Sequence, residues 1–211
     1  MTILIKKKIV SALKKQNKIG FNLGSEGNIS VRNSEKIFIT SSGCNVSDLS
    51  EKDICVIESN GRVINKKKPS SEIKLHLIIY NSRKNINAIV HSHSPWASII
   101  SCLRKEIPSF HYMVAEFGGK NIRCADYAKF GTDNLAKKVF NAINNRKGCL
   151  ISNHGQITIG ESLDEALILS EALEKLCMQY YHCLLTKKLR LLKSSEMDEV
   201  IEAFKEYKSK H

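Results

Sequence analysis

Apolar residues Ile5, Ile9, Val10, Ala12 and Leu13 recur at helical spacing over residues 3–18, and Gly20 stops the run. The period then shortens. Residues 27–32 and 36–40 alternate and are rich in β-branched side chains, which predicts a hairpin turning through Asn33-Ser34-Glu35. A second hairpin is expected where residues 54–58 and 62–64 flank Asn60-Gly61, a strong turn dipeptide. Helical spacing returns over residues 71–80, and the apolar run 88–92 predicts a buried strand. Pro95 then opens a short helix over residues 96–103. Residues 132–144 read as a helix, followed by strands near 149–152 and 156–159. Ser162-Leu-Asp-Glu165 has the form of a capping box and opens a long amphipathic helix to about residue 185. A last helix is expected over residues 196–207. Hairpins mixed with helices predict an α/β sandwich with a mixed, largely antiparallel sheet.

Composition narrows the class. A chain of 211 residues fits a single domain, 1–211, and 42% hydrophobic with 26% charged residues is ordinary for a globular protein. No apolar run approaches the roughly 20 residues that cross a bilayer, so no membrane association is expected. The first residues place their apolar side chains before Lys6-Lys7-Lys8, the reverse of a secretory signal. Seven cysteines, with no C-x-x-C pair and mostly apolar neighbours, read as small buried hydrophobes in a reducing cytoplasm. The net charge of +12 comes from 26 lysines and only seven arginines. The lysines are scattered, with runs only at Lys6-Lys7-Lys8 and Lys66-Lys67-Lys68 and no aromatic interleaving. A solvated surface explains them better than a nucleic-acid partner does.

Five segments carry candidate chemistry. Ala88-Ile-Val-His91-Ser-His93 ends an apolar strand in H-x-H, and period-two alternation sends both imidazoles to one face. Imidazoles about 6–7 Å apart along a strand can converge on one divalent ion. His154, in Ser152-Asn153-His154-Gly155, is the candidate third ligand. Taken alone, these histidines could equally hydrogen-bond at strand ends. Pro69-Ser70-Ser71-Glu72 stands at a predicted helix start, where hydroxyls and free N–H groups suit an anion and Glu72 could be a base. Ser70 as N-cap explains the same residues. Gly24-Ser-Glu-Gly27-Asn28-Ile-Ser30-Val-Arg32 and Thr40-Ser41-Ser42-Gly43 could cradle phosphate, or form plain turns.

In order, G-x-x-x-G-N-x-S-x-R, T-S-S-G, P-S-S-E, H-x-H and N-H-G strongly resemble the class II sugar-phosphate aldolases, over essentially the whole chain. Between the motifs, Ile107-Pro-Ser-Phe-His111-Tyr112-Met113, Gly118-Gly119, Tyr127-Ala-x-Phe130-Gly131-Thr132 and Asn145-Arg146-Lys147 are similar to the fuculose-phosphate aldolase branch. The resemblance implies a three-layer α/β/α sandwich and one Zn²⁺ per subunit, held by His91, His93 and His154. Glu72 would be a further ligand while substrate is absent and the catalytic acid/base in turnover. It also implies phosphate binding at Asn28, Ser42, Gly43, Ser70 and Ser71. Tyr112 would come from a neighbouring subunit to protonate the aldehyde oxygen, and Tyr207 would be a mobile C-terminal tyrosine near the site. A cytoplasmic homotetramer with sites at subunit interfaces would follow.

The implied reaction is reversible cleavage of a ketose 1-phosphate, such as L-fuculose 1-phosphate, to dihydroxyacetone phosphate and an aldehyde such as lactaldehyde. Related alternatives are a 5-deoxyribulose 1-phosphate aldolase, L-ribulose-5-phosphate 4-epimerase and methylthioribulose-1-phosphate dehydratase. Epimerases of the family typically have Asp at the position of Glu72, and the dehydratases lack the acid, so Glu72 favours aldol chemistry. Selectivity for the aldehyde is expected around Phe117, Phe204 and Tyr207.

Overall fold

A computed structural model describes residues 2–209, with side chains described through residue 207. In chain order the elements are α1 (Thr2–Lys18), β1 (Asn28–Asn33), β2 (Lys36–Thr40), β3 (Ile54–Glu58), α2 (Ile73–Ser82), β4 (Ala88–Ser92) and α3 (Pro95–Ser101). There follow β5 (Cys124–Ala125), α4 (Asp133–Ile143), β6 (Gly148–Ile151), β7 (Gly155–Gly160), α5 (Leu163–Thr186) and α6 (Ser194–Ser209). The strands form one sheet in the order β3-β2-β1-β4-β7-β6-β5, antiparallel throughout except for the β5–β6 pair.

Strand alternation divides the core into layers. Ile37, Ile39, Ile57 and Ile89 pack with Leu75 and Ile79 of α2 and Val139 of α4 on one face. Phe38, Val56, Ala88 and Val90 point the other way, against Ile9 and Leu13 of α1 and Ala166 of α5. Beyond them, α3, α5 and α6 close a third cluster around Phe117, Leu150 and Leu173. This is the α/β/α sandwich with a mixed, largely antiparallel sheet.

Most predicted elements appear within a residue or two. Thr132 caps α4 by accepting from the N–H of Leu135, and Ser162 caps α5 by accepting from that of Glu165. The Glu165 carboxylate reaches back one residue further than the capping-box pattern predicts, to the N–H of Glu161. Three expectations need correction. Residues 62–64 make no strand. The Asn60-Gly61 turn forms, but only Ile57 and Val63 bridge, and the Asn65 side chain then takes over the pairing. Its amide accepts from Val56 N–H and donates to Ile54 O at 3.0 and 2.9 Å. Helix α2 begins at Ile73 rather than residue 71, because the Ser70 hydroxyl accepts from Glu72 N–H and holds Ser71 and Glu72 in a preceding turn. Of the cysteines, Cys55, Cys149 and Cys177 are buried as expected; Cys102 is exposed and the others lie between, all seven free. No helix among the described residues is long and apolar enough to cross a membrane.

Candidate active site

The register of the sheet begins the site. Asn28 of β1 stands opposite His91 of β4 in the antiparallel ladder, so both side chains leave the sheet on the α2 face. His93 follows two residues on, just past the strand end. His154 arrives from the tight β6–β7 turn, where Asn153 takes the left-handed conformation at φ 53°. Gly155 lets that turn come so close: a Cβ there would lie 2.4 Å from the Ser92 carbonyl oxygen. Gly27, at φ 68°, likewise admits the Asn22 side chain, whose Oδ1 accepts from the backbone N–H of His93 at 3.1 Å. The loop before β1 therefore fixes the second histidine's backbone.

The result is a compact imidazole triangle. Ring centroids are 5.0 Å apart for His91–His93 and 4.8 Å for the other two pairs. One nitrogen from each ring lies within 4.8 Å of the others, a spacing that could hold a metal ion. Glu72, buried at the N-terminus of α2, completes the cluster, with Oε2 3.0 Å from His91 Nε2 and Oε1 3.7 Å from His154 Nε2.

Electrostatics show how tightly these groups are coupled. Burial would raise the Glu72 carboxyl, but the facing His91 and His154 imidazoles and the Asn28 amide hold it well below the usual carboxylate range. Burial also lowers His154, to about 3, with His91 adding to the effect, and it lowers His93 in the same way. His91 alone is raised, because Glu72 outweighs its burial. The Nδ1–H of His91 donates to the Gln156 carbonyl at 2.8 Å, leaving the Nε2 lone pair aimed into the cluster. The donor set fits a divalent cation. Nε2 atoms of His91 and His93 lie 3.1 Å apart, close enough for both neutral rings to turn a lone pair to one cation, and the buried Oε1 of Glu72 has no hydrogen-bond partner.

A cavity of about 410 Å³ opens onto Glu72, His93 and His154. All five expected phosphate residues, Asn28, Ser42, Gly43, Ser70 and Ser71, line it. Backbone pairing knits their loops together: Ser42 N–H donates to Lys68 O at 3.1 Å, and Ser70 N–H to Thr40 O at 3.0 Å. Among the described residues lining the cavity there is no lysine or arginine; the donors are hydroxyls and amides. Ser41, whose buried Oγ has no hydrogen-bond partner, Glu26 and Asn153 also line the wall; they lie in the segments that carry candidate chemistry, where the sequence gives them no role of their own, and Tyr127 and Phe130 join them. Tyr127 and Phe130 stood in a quoted motif, but nothing in their spacing assigns a role.

Two expected residues lie elsewhere. Tyr112, on the 3-10 turn Tyr112–Phe117, and Tyr207 of α6 are both exposed, and neither lines this cavity. They flank a separate apolar groove with Val200, Ala203 and Phe204. Phe117, expected near the aldehyde, is fully buried in the core behind α5, so it does not reach the cavity.

Residues 7–181 match the family described as the Class II Aldolase and Adducin N-terminal domain. The chain is 39% identical over 205 residues to the 5-methylthioribulose-1-phosphate/5-deoxyribulose-1-phosphate aldolase of Rhodospirillum rubrum, covering 97% of this chain and 93% of that protein. It is 38% identical over 202 residues to the L-fuculose phosphate aldolase of Escherichia coli strain K12, covering 95% and 94%. A solved L-fuculose 1-phosphate aldolase superposes with a TM-score of 0.91 at 34% identity, over 95% of this chain and 96% of that one. With its fold, its imidazole triangle and these relatives in agreement, the chain belongs to the class II aldolases and is a lyase of that type.

Proposed function

We propose that the chain cleaves a ketose 1-phosphate to dihydroxyacetone phosphate and an aldehyde. The observation that carries this reading is the Glu72 carboxylate, buried beside His91 and His154 at the floor of a hydroxyl-lined cavity. His91, His93 and His154 would hold the cation, with zinc the choice favoured by three imidazoles, and Glu72 would join them while substrate is absent. When bound, the cation supplies Lewis-acid stabilisation of the charge that grows on the ketone oxygen as the carbon–carbon bond breaks. Asn28, Ser42, Gly43, Ser70 and Ser71 grip the phosphate and so fix the reacting carbons beside Glu72. The electron pair of the broken bond stays on the phosphate-bearing fragment, where Glu72, after taking up a proton from solvent that balances the one released by the departing hydroxyl, delivers it to carbon. The departing fragment loses its hydroxyl proton and leaves as the aldehyde. Tyr112 from a second subunit is the group we assign to that oxygen, and Tyr207 closes over the same side. This assignment requires an oligomer, which the resemblance implies is a homotetramer.

Tyr127 and Phe130 add apolar surface to the cavity wall; we assign it to the aldehyde end, where it suits the methyl end of a 6-deoxy or 5-deoxy sugar or a methylthio group. That favours two substrates in particular, L-fuculose 1-phosphate and 5-deoxyribulose 1-phosphate, with 5-methylthioribulose 1-phosphate as a close second. Incubating the zinc-loaded protein with each of the three and following dihydroxyacetone phosphate by a coupled reduction tests the reading. Release from at least one is expected; a loaded, folded protein that releases none from any of them overturns it.

A further inference from the structure

Behind Glu72 and Asn28 runs a chain of buried polar side chains, His76, Ser30 and Tyr80, to which the proposed reaction gives no role. Asn28 Nδ2 lies 3.1 Å from Glu72 Oε2, and Asn28 Oδ1 lies 2.6 Å from His76 Nε2. His76 Nδ1 lies 2.7 Å from Ser30 Oγ, which lies 2.8 Å from the Tyr80 hydroxyl. Asn28, Ser30, His76 and Tyr80 are all buried. The link leaves α2 at Glu72, crosses to β1 and returns to the same helix one turn later.

Only one assignment of hydrogens satisfies every member. A carboxylate accepts but does not donate, so Asn28 must turn its NH₂ toward Glu72 and its carbonyl toward His76. That carbonyl needs a donor, which makes His76 the Nε2–H tautomer. Its bare Nδ1 then accepts from the Ser30 hydroxyl, and Ser30 in turn accepts from Tyr80 O–H. Burial supports the assignment at both ends: it lowers His76 to about 3, keeping it neutral, and raises Tyr80, keeping its proton. Oε2 of Glu72 is thereby engaged, by Asn28 and by its place 3.0 Å from His91 Nε2, whereas Oε1 has no hydrogen-bond partner and lies 3.7 Å from His154 Nε2.

We infer that His76 is a positioning residue, which fixes the Asn28 amide so that Oε2 of Glu72 is anchored and Oε1 is the oxygen that carries the proton. The inference deepens the proposed function and rests on its assignment of Glu72. A buried asparagine without this neighbour could rotate its amide and set a carbonyl against the carboxylate, moving Glu72 off the reacting carbon. Network members of this kind act as a unit rather than as separate contacts.

Two measurements test it. In the folded, metal-loaded wild-type protein without substrate, nitrogen-15 long-range NMR should find His76 neutral and protonated at Nε2; protonation at Nδ1, or on both nitrogens, overturns the inference. This readout is independent of turnover, so it stands apart from a failure of the substrate assignment. In kinetics, His76→Leu should lower kcat by about tenfold to a hundredfold while metal content stays at the wild-type level. His76→Gln, which can still donate to Asn28, should recover most of the loss. Wild-type kcat in a folded His76→Leu protein, or a glutamine variant no better than leucine at equal metal content, overturns the inference. If His76→Leu does not fold, Tyr80→Phe removes the far donor while preserving the ring, and the NMR result on the wild type decides.

Discussion

The two oxygens of Glu72 sit in unlike surroundings, one anchored by Asn28 and one without a partner. Glu72→Gln keeps the volume and the polar contacts but cannot relay a proton. It should retain a metal ion, measured by atomic absorption, while kcat falls by about 10²–10⁴-fold, as expected for loss of a general acid/base. His93→Ala should instead lose both metal and turnover, since two imidazoles and a carboxylate remain where the cluster offers four donors; a metal-free yet active variant would sink the ligand assignment. His76 has a signature in stability. Its pKa is about 3 in the folded protein, against about 6.5 in an unfolded chain. The unfolded state therefore binds the extra proton between those values, and stability falls as pH drops from about 6.5 towards 3. One proton corresponds to about 1.4 kcal/mol per pH unit. In metal-free protein, denaturant titrations between pH 4 and 6 should show a slope shallower by about that amount for His76→Leu than for wild type.

At the scale of elements, features whose partners lie close in sequence were readable and those with distant partners were not. Ser162 and Thr132 announce α5 and α4 because each caps an N–H three residues away. Strand β4, with His91 in it and His93 just past its end, was legible because alternation dictates which face a side chain takes. The N-terminus of α3 gave only Pro95, since its true cap is Glu174 of α5, about 80 residues along the chain. The buried Glu174 carboxylate accepts from Ser94 Oγ at 2.6 Å and from the N–H groups of Trp96 and Ala97 at 2.8 and 2.9 Å. No local pattern reveals such a cap. Glu174→Ala would strand these donors, one residue beyond His93, and should cost about 2–4 kcal/mol of stability, read from the denaturation midpoint. The turn at Asn60-Gly61 was legible for the same local reason, whereas the Asn65 side chain that replaces its second strand was not.

For the whole molecule, the charge and the cavity turn out to be separate matters. The net charge of +12 belongs to the surface, while the described lining of the cavity presents hydroxyls and amides. Added salt should therefore lower kcat/KM by weakening the long-range attraction of a phosphorylated substrate, and leave kcat unchanged; steady-state kinetics from about 0.05 to 0.5 M NaCl check this. That the five loop residues line one cavity and the three histidines form one cluster could be read from the ordered motifs. Tyr112 and Tyr207 could be named in the same way, but their place beside a separate groove depends on how α6 packs against the 3-10 turn, which no motif specifies.

The close approach at Gly155 has a consequence for how the metal centre can change. A single methyl there would wedge the His154 turn away from Ser92 and His93, widening the bite of the ligand set without touching a ligand. The spacing of the three imidazoles thus depends on a missing atom at Gly155. Mutational routes that preserve all three histidines can still unmake the centre through a residue that never contacts it.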